Sequence, residues 1–167
     1  MDLYLKILDV NDVTQAYVDW FADEEVVRFS DNQFRKFTIR SQIQYVEDCL
    51  SNKDMMLFGI FDGPAHIGNI SINGICSPHR RAEITYVIGN RSYWGKGIAS
   101  YAISEIIIKS TQDYNLNKLV AGVAEYNTAS ARVLKKNGFE LEGIRKNHLF
   151  FDHKFSNQVD YGLLLNC

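Results

Sequence analysis

The chain has 167 residues, enough for a single domain with a real apolar core. Its 18 basic and 20 acidic side chains leave a net charge of −2, which disfavours a dedicated nucleic-acid binder, since such domains are usually basic. The near-neutral balance suits a small-molecule or mixed partner. The opening residues Met1 to Lys6 lack the cationic and apolar regions of a signal peptide, and no apolar run approaches membrane-spanning length. Three widely separated cysteines, Cys49, Cys76 and Cys167, read as free thiols in a reducing cytoplasm, and no pair has metal-ligand spacing. His66, His79, His148 and His153 show no His-x-x-x-His or Glu-paired spacing, so no metal is expected.

Residues 3–8 read as a first strand. Asp9 or Asn11 is placed to cap a helix over about 11–21, with Val13, Tyr17, Trp20 and Phe21 on one face. Residues 22–37 are irregular and mix charge with aromatics (Arg28, Phe29, Phe34, Arg35, Phe37). Such a segment suits an acceptor pocket, or a satellite core under a loop. Thr38 opens a helix through Ile39, Ile43, Val46 and Leu50. Residues 55–61 and 66–73 form a hairpin around Asp62-Gly63-Pro64. After a polar loop, Ile84, Tyr86 and Ile88 alternate against Glu83, Thr85 and Val87, giving a strand over 82–89. A helix follows over 97–112, then a strand over 118–124. Asn127 or Thr128 caps a short helix that stops at Asn137-Gly138, where glycine suits a left-handed C-terminal cap. Strands over 139–149 and 156–165 close the chain, joined around Asp152-His153-Lys154. A strand, a crossover helix and a strand near 82–124 imply one parallel pair in a mostly antiparallel sheet.

The sequence around Trp94 carries the first chemical signal. A strand, a glycine-rich turn (Trp94-Gly95-Lys96-Gly97) and a helix N-terminus (Ile98, Ala99, Ser100) form an anion cradle. The glycines let a phosphate approach the backbone, and the first helical N–H groups have no partner within the helix. A second signal follows about thirty residues on, in Asn127, Ser130, Leu134, Gly138 and Phe139.

Trp94-Gly95-Lys96-Gly97-Ile98-Ala99 resembles the Gln/Arg-x-x-Gly-x-Gly/Ala fingerprint of the GCN5-related N-acetyltransferases, with Trp94 where Gln or Arg is usual. That variation resembles the RimJ/RimL-like branch. The stretch from Asn127 to Phe139 is similar to the same family's Asn-x-x-Ala-x-x-x-Tyr-x-x-x-Gly-Phe. The resemblance covers essentially the whole chain. It implies an α+β, three-layer fold: a mixed, mostly antiparallel seven-stranded sheet with helices on both faces and a splayed central parallel pair. The acyl-pantetheine arm of acetyl-coenzyme A would enter that splay.

The implied reaction is direct attack of a primary amine on the thioester in a ternary complex. It needs a base for the ammonium, a donor for the developing oxyanion and a proton for the leaving thiolate. The resemblance assigns the base to Glu83, partly buried at a strand start with a raised pKa. The residue-level alternative for Glu83 is an ion pair with Arg80 or Arg81. The oxyanion falls to the backbone N–H of Val87, with Ile88 and Gly89 along the arm. The pyrophosphate falls to the amides of Gly95, Lys96, Gly97, Ile98, Ala99 and Ser100, beside Trp94. Asn127 would hold the pantetheine arm, or simply cap its helix. Many relatives have a tyrosine at Leu134 to protonate the thiolate, which leucine cannot do. Ser130, one turn earlier on the same face, is the candidate general acid, or else a small packing residue.

The acceptor stays open between a protein N-terminal amine, as the branch implies, and a small amine. An alternative is the amino group of a nucleotide-linked sugar in surface-polysaccharide synthesis; another is a non-catalytic acyl-coenzyme A sensor. The expected partners are therefore acetyl-coenzyme A and an amine, with neither nucleic acid nor membrane. A homodimer through the last strands is compatible with the sequence, and the expected location is the cytoplasm.

Overall fold

The computed structural model describes residues 1–165, so Cys167 lies outside the described residues. Seven strands form one sheet: β1 (Leu3–Ile7), β2 (Met55–Asp62), β3 (Ala65–Cys76), β4 (Arg81–Ile88), β5 (Lys118–Ala124), β6 (Glu140–Phe151) and β7 (Lys154–Leu164). Their order across the sheet is β1-β2-β3-β4-β5-β7-β6. Every neighbouring pair is antiparallel except β4 with β5.

The helices are α1 (Gln15–Asp19), α2 (Glu24–Val27), α3 (Ile39–Ser51), α4 (Ile98–Gln112) and α5 (Thr128–Lys136). On one sheet face α4 and α5 bury Ile98, Ala102, Ile103, Ile106 and Leu134 against Ile70, Ile72, Ala82, Ile84 and Leu119. On the other face Tyr17, Trp20, Val46 and Cys49 pack on Leu8, Leu57 and Phe61. The three-layer α+β arrangement is the one the motifs implied.

The predicted continuous helix over 11–21 does not form. Asp9 accepts from the Asn11 N–H at 2.7 Å and caps a 3-10 turn over Val10–Asp12. Val13 then turns extended, and Thr14 caps α1 afresh by accepting from the Tyr17 N–H. Two caps five residues apart compete for one helix, and each nucleates its own turn. The irregular segment that follows contains α2 and two more 3-10 turns. Its rings divide: Trp20 is buried and Phe21 packs on Phe37 at 4.5 Å, while Phe34 is exposed and stacks on Phe151.

The second core also encloses a histidine. The rings of Tyr17, Trp20 and Phe61 surround His66, at 5.3, 4.8 and 4.7 Å between centroids. His66 Nε2 lies 3.1 Å from the Gly68 carbonyl and 2.7 Å from Asn69 Oδ1. Both are acceptors, so Nε2 carries the hydrogen. Nδ1 is buried and makes no well-aligned hydrogen bond among the described residues, with Asp12 near enough to act on the ring. Burial holds the imidazole pKa below its ordinary 6.5. Between that lowered value and 6.5 the unfolded chain binds a proton that the folded chain does not, so stability falls as pH falls through the window. The melting temperature should therefore drop between pH 7 and pH 5, and less steeply in His66→Gln. Parallel curves for the two proteins would contradict this.

Candidate active site

The central feature is a fork between β4 and β5. The two strands pair only at Arg81–Lys118, Ala82–Leu119 and Glu83–Val120. Beyond Glu83 β4 stays on β3, through Ile88 opposite Gly68, while β5 stays on β7, through Ala124 opposite Gln158. The remaining halves of β4 and β5 diverge.

Which β4 groups face the fork follows from strand alternation. The Gly89 N–H donates to the Ile67 carbonyl at 3.0 Å, and the register to Asn73–Glu83 is unbroken. Hydrogen-bonded pairs recur every second residue in an antiparallel ladder, so Val87 and Thr85 also direct their polar groups at β3. At the other end the Arg80 carbonyl accepts from Lys118 N–H, so even-numbered residues face β5. The N–H groups turned into the fork are those of Tyr86 and Ile88. The N–H of Val87, expected at the oxyanion, points the other way. The family-based assignment set its position without the local hydrogen-bond parity. The Ile88 carbonyl in the fork already accepts from Trp94 Nε1 at 2.8 Å. Gly89 is packed against Trp20, where a Cβ would sit 1.9 Å from the indole.

The turn after β4 is open and electropositive. Gly95 and Gly97 have φ of +72° and +80°, a region glycine enters without strain. A Cβ on either would meet nothing within 4 Å, so there is free space over this backbone. Gly97 is the N-cap of α4 and has no side chain to cap it; the first turn contains no acidic residue. The amides of Ile98, Ala99 and Ser100 thus end a 15-residue helix with its dipole uncompensated. Ile98 anchors the turn in the core. Ser100 Oγ accepts from Asn137 Nδ2 at 3.0 Å, tying this turn to the end of α5. Exposed Lys96 lies over the Tyr93 ring at 5.5 Å.

On the opposite side of the fork, α5 starts with Asn127, whose Oδ1 accepts from the Ser130 N–H at 3.2 Å. The capping role is therefore present, and Asn127 Nδ2 has no partner among the described residues. Ser130 is half-buried. Its Oγ lies 2.6 Å from the hydroxyl of Tyr86, which also reaches the Ser130 carbonyl at 3.3 Å. Leu134 is fully buried and carries no acid. Gly138, at φ +86°, forms the predicted left-handed cap, and Phe139 N–H closes on the Leu134 carbonyl.

Glu83 lies at the root of the fork, but it is exposed, so the burial expected for it is absent. It points to the sheet face opposite α4, where Asn73 is its cross-strand neighbour on β3. Neither expected arginine pairs with it. Arg80 instead donates to the Asn115 carbonyl and Oδ1, both at 2.7 Å. Glu83 lines an open cleft of ≈ 530 Å³ with Arg81, Glu142, Arg145 and Asp160. Lys118 pairs with Glu142 at 2.6 Å and Arg145 with Asp160 at 2.7 Å. Among the described residues Glu83 is the one carboxylate in this cleft without an ion pair.

Sequence reasoning missed Tyr86. Its signal was a polar tip at a core-facing position flanked by Ile84 and Ile88, since a buried tyrosine hydroxyl usually finds a partner.

Comparison with known proteins identifies the family. Residues 2–140 match the model of the acetyltransferase (GNAT) domain. The uncharacterized N-acetyltransferase p20 of Bacillus licheniformis is 30% identical over 152 residues, 87% of this chain and 83% of that one. The ribosomal-protein-serine acetyltransferase of Escherichia coli (strain K12) is 32% identical over 110 residues, 66% of this chain and 61% of that one. Among solved structures, spermidine N-acetyltransferase from Vibrio cholerae in complex with CoA and spermine superposes with a TM-score of 0.87 at 20% identity, over 98% of this chain and 96% of that one. The likeness in fold extends over both motifs. By its domain match and its relatives, the chain belongs to the GCN5-related N-acetyltransferases and is an N-acetyltransferase enzyme.

Proposed function

We propose that the enzyme transfers the acetyl group of acetyl-coenzyme A to a single primary amine presented at Glu83. The cosubstrate, when bound, supplies an acetyl group activated as a thioester. The fork fits its arm: Tyr86 and Ile88 offer N–H groups there, and Asn127 Nδ2 offers a third donor. Either β4 amide can take the oxyanion role first given to Val87. The amides of Gly95 to Ser100 fit a diphosphate, with Lys96 adding charge. Ser130 is the candidate proton donor to the leaving sulfur.

The observation that carries the reading is Glu83, alone and unpaired in an open cleft at the root of the fork. One free carboxylate suits one ammonium head and could take its proton directly or through water. Glu142 and Asp160 are each held in an ion pair, so among the described residues lining this cleft Glu83 is the one unpaired acidic anchor, which fits a protein N-terminus or a small monoamine better than a polyamine. A second reading, an amino-sugar nucleotide, is favoured by a pocket of ≈ 170 Å³ lined by Arg28, Phe29, Tyr126 and Lys154. Against it, Arg28 is already paired with Asp152 at 3.5 Å.

The test is thiol release from acetyl-coenzyme A with peptides bearing free N-termini, monoamines, polyamines and amino-sugar nucleotides. Peptides or monoamines should give the highest kcat/KM, and Glu83→Gln should lower it about 10²-fold at neutral pH. Turnover on sugar nucleotides alone would select the second reading, and turnover on polyamines alone would overturn both. The reading takes the chain as one catalytic domain working in the cytoplasm; among the described residues no helix is long and apolar enough to cross a membrane. It also includes a homodimer, in which a second copy covers the open edge of β6 at exposed Leu141 and Ile144. A one-chain mass by light scattering would remove that part.

A further inference from the structure

Tyr86 contributes two groups to the fork from one residue. Its backbone N–H is turned into the gap. Its side chain lies on the α4 face with Ile84 and crosses to α5, where the hydroxyl meets Ser130 Oγ at 2.6 Å. The two residues are 44 positions apart in the chain, so only the fold brings them together. Each hydroxyl has one hydrogen and can also accept. The phenolic hydrogen has two acceptors, Ser130 Oγ at 2.6 Å and the Ser130 carbonyl at 3.3 Å; when it goes to the nearer Oγ, the Ser130 hydrogen is free to point away from the phenol.

We infer that Tyr86 is the proton source behind Ser130, a positioning residue that makes a tyrosine–serine relay the general acid of this enzyme. The inference rests on the proposed role of Ser130 at the leaving sulfur. As the carbon–nitrogen bond forms and the carbon–sulfur bond breaks, its electron pair stays on sulfur. Ser130 gives its hydroxyl hydrogen to that sulfur and takes the phenolic hydrogen of Tyr86 in the same movement. Tyr86 then recovers a proton from solvent, matching the one the acylated nitrogen releases. An aliphatic hydroxyl is a far weaker acid than a thiol, so Ser130 alone would be left as a costly alkoxide. An ordinary phenol, at about 10, lies far closer to an ordinary thiol at about 8.5 than an aliphatic hydroxyl does, so the relay narrows that mismatch even with the Tyr86 phenol raised by burial. Burial pushes the Tyr86 pKa up, while the Ser130 hydrogen bond pulls the other way. The phenol therefore holds its proton at neutral pH until sulfur calls for it.

The experiment compares Tyr86→Phe, Ser130→Ala and the double variant. Tyr86→Phe should lower kcat by about tenfold or more, with the KM for acetyl-coenzyme A within twofold. The double variant should be no slower than Ser130→Ala, because the two act in series. A second readout needs no coenzyme: with 13C-labelled tyrosine, the resonance absent from Tyr86→Phe should titrate at higher pH in Ser130→Ala than in wild type. Site-specific 3,5-difluorotyrosine at position 86, which acidifies the phenol and keeps the ring, should move the basic limb of the kcat profile to lower pH. A normal kcat in Tyr86→Phe alongside a slow Ser130→Ala would overturn the relay and leave the role of Ser130 standing. Normal rates in both variants would remove the role of Ser130 and the relay with it. An unmoved basic limb with difluorotyrosine would also overturn the relay, even if Tyr86→Phe failed to fold.

Discussion

Ser130→Ala is expected to lower kcat by about 10²-fold or more, the range for loss of a positioned acid, while the KM for acetyl-coenzyme A changes less than threefold. The asymmetry follows from where Ser130 sits. Its N–H is spent on Asn127 Oδ1 within the helix cap, and its Oγ has Tyr86 as its partner in the protein. Neither bond holds the adenine or diphosphate end of a coenzyme, which the α4 turn is suited to take. The loss should therefore appear in the chemical step and not in binding. Alanine keeps the helix, and Leu134 one turn on keeps the core contact, so the melting temperature should move by only a few degrees. Steady-state kinetics with varied acetyl-coenzyme A reads both constants. An equal rise in KM with kcat unchanged would mean that Ser130 only holds the arm.

Gly97→Val should have the opposite signature. At φ +80° a β-branched residue is a true outlier, and a left-handed conformation costs an L-residue about 1–2 kcal/mol. The chain would relieve this by rotating the peptides at the start of α4, which misaims the amides of Ile98, Ala99 and Ser100. With about 1.4 kcal/mol per tenfold change in affinity, the Kd for coenzyme A should rise tenfold or more. The rise should be similar for 3′-phospho-ADP, since both carry the diphosphate. Calorimetry on the two ligands checks this. An unchanged Kd for both would place the diphosphate elsewhere. Gly97→Ala should show a smaller loss in the same direction.

The parts of the molecule that obey local rules were legible in the sequence. The 118–124 strand was read with the bounds it has, because an apolar run stands between a polar loop and a helix cap. Thr38 and Gly138 marked helix ends by side-chain chemistry and by the absence of a Cβ. The Asp152-His153 turn was read correctly as the joint of the last hairpin; both residues have positive φ, +52° and +58°, as a tight two-residue turn requires. The helix expected over 11–21 was misread because its apolar spacing looks helical while Asp9 and Thr14 each start a separate turn; residues 22–37 were read as irregular, and they are. The burial of Glu83 depended on which helices cover β4, and that face proved open. Parity at Val87 depended on the β3 register, which no motif encodes. Tyr86 with Ser130 is a contact between a strand and a helix joined only through the completed sheet, so residue type hinted at a partner and only the fold identified it.

The most direct single measurement is a crystal structure of the enzyme with acetyl-coenzyme A. The expected result has the acyl-pantetheine arm between β4 and β5. The thioester oxygen should lie within hydrogen-bond distance of the Tyr86 or Ile88 N–H, the sulfur next to Ser130 Oγ, and the diphosphate on the amides from Gly95 to Ser100. An arm outside the fork, or a thioester oxygen held by groups on neither strand, would contradict it.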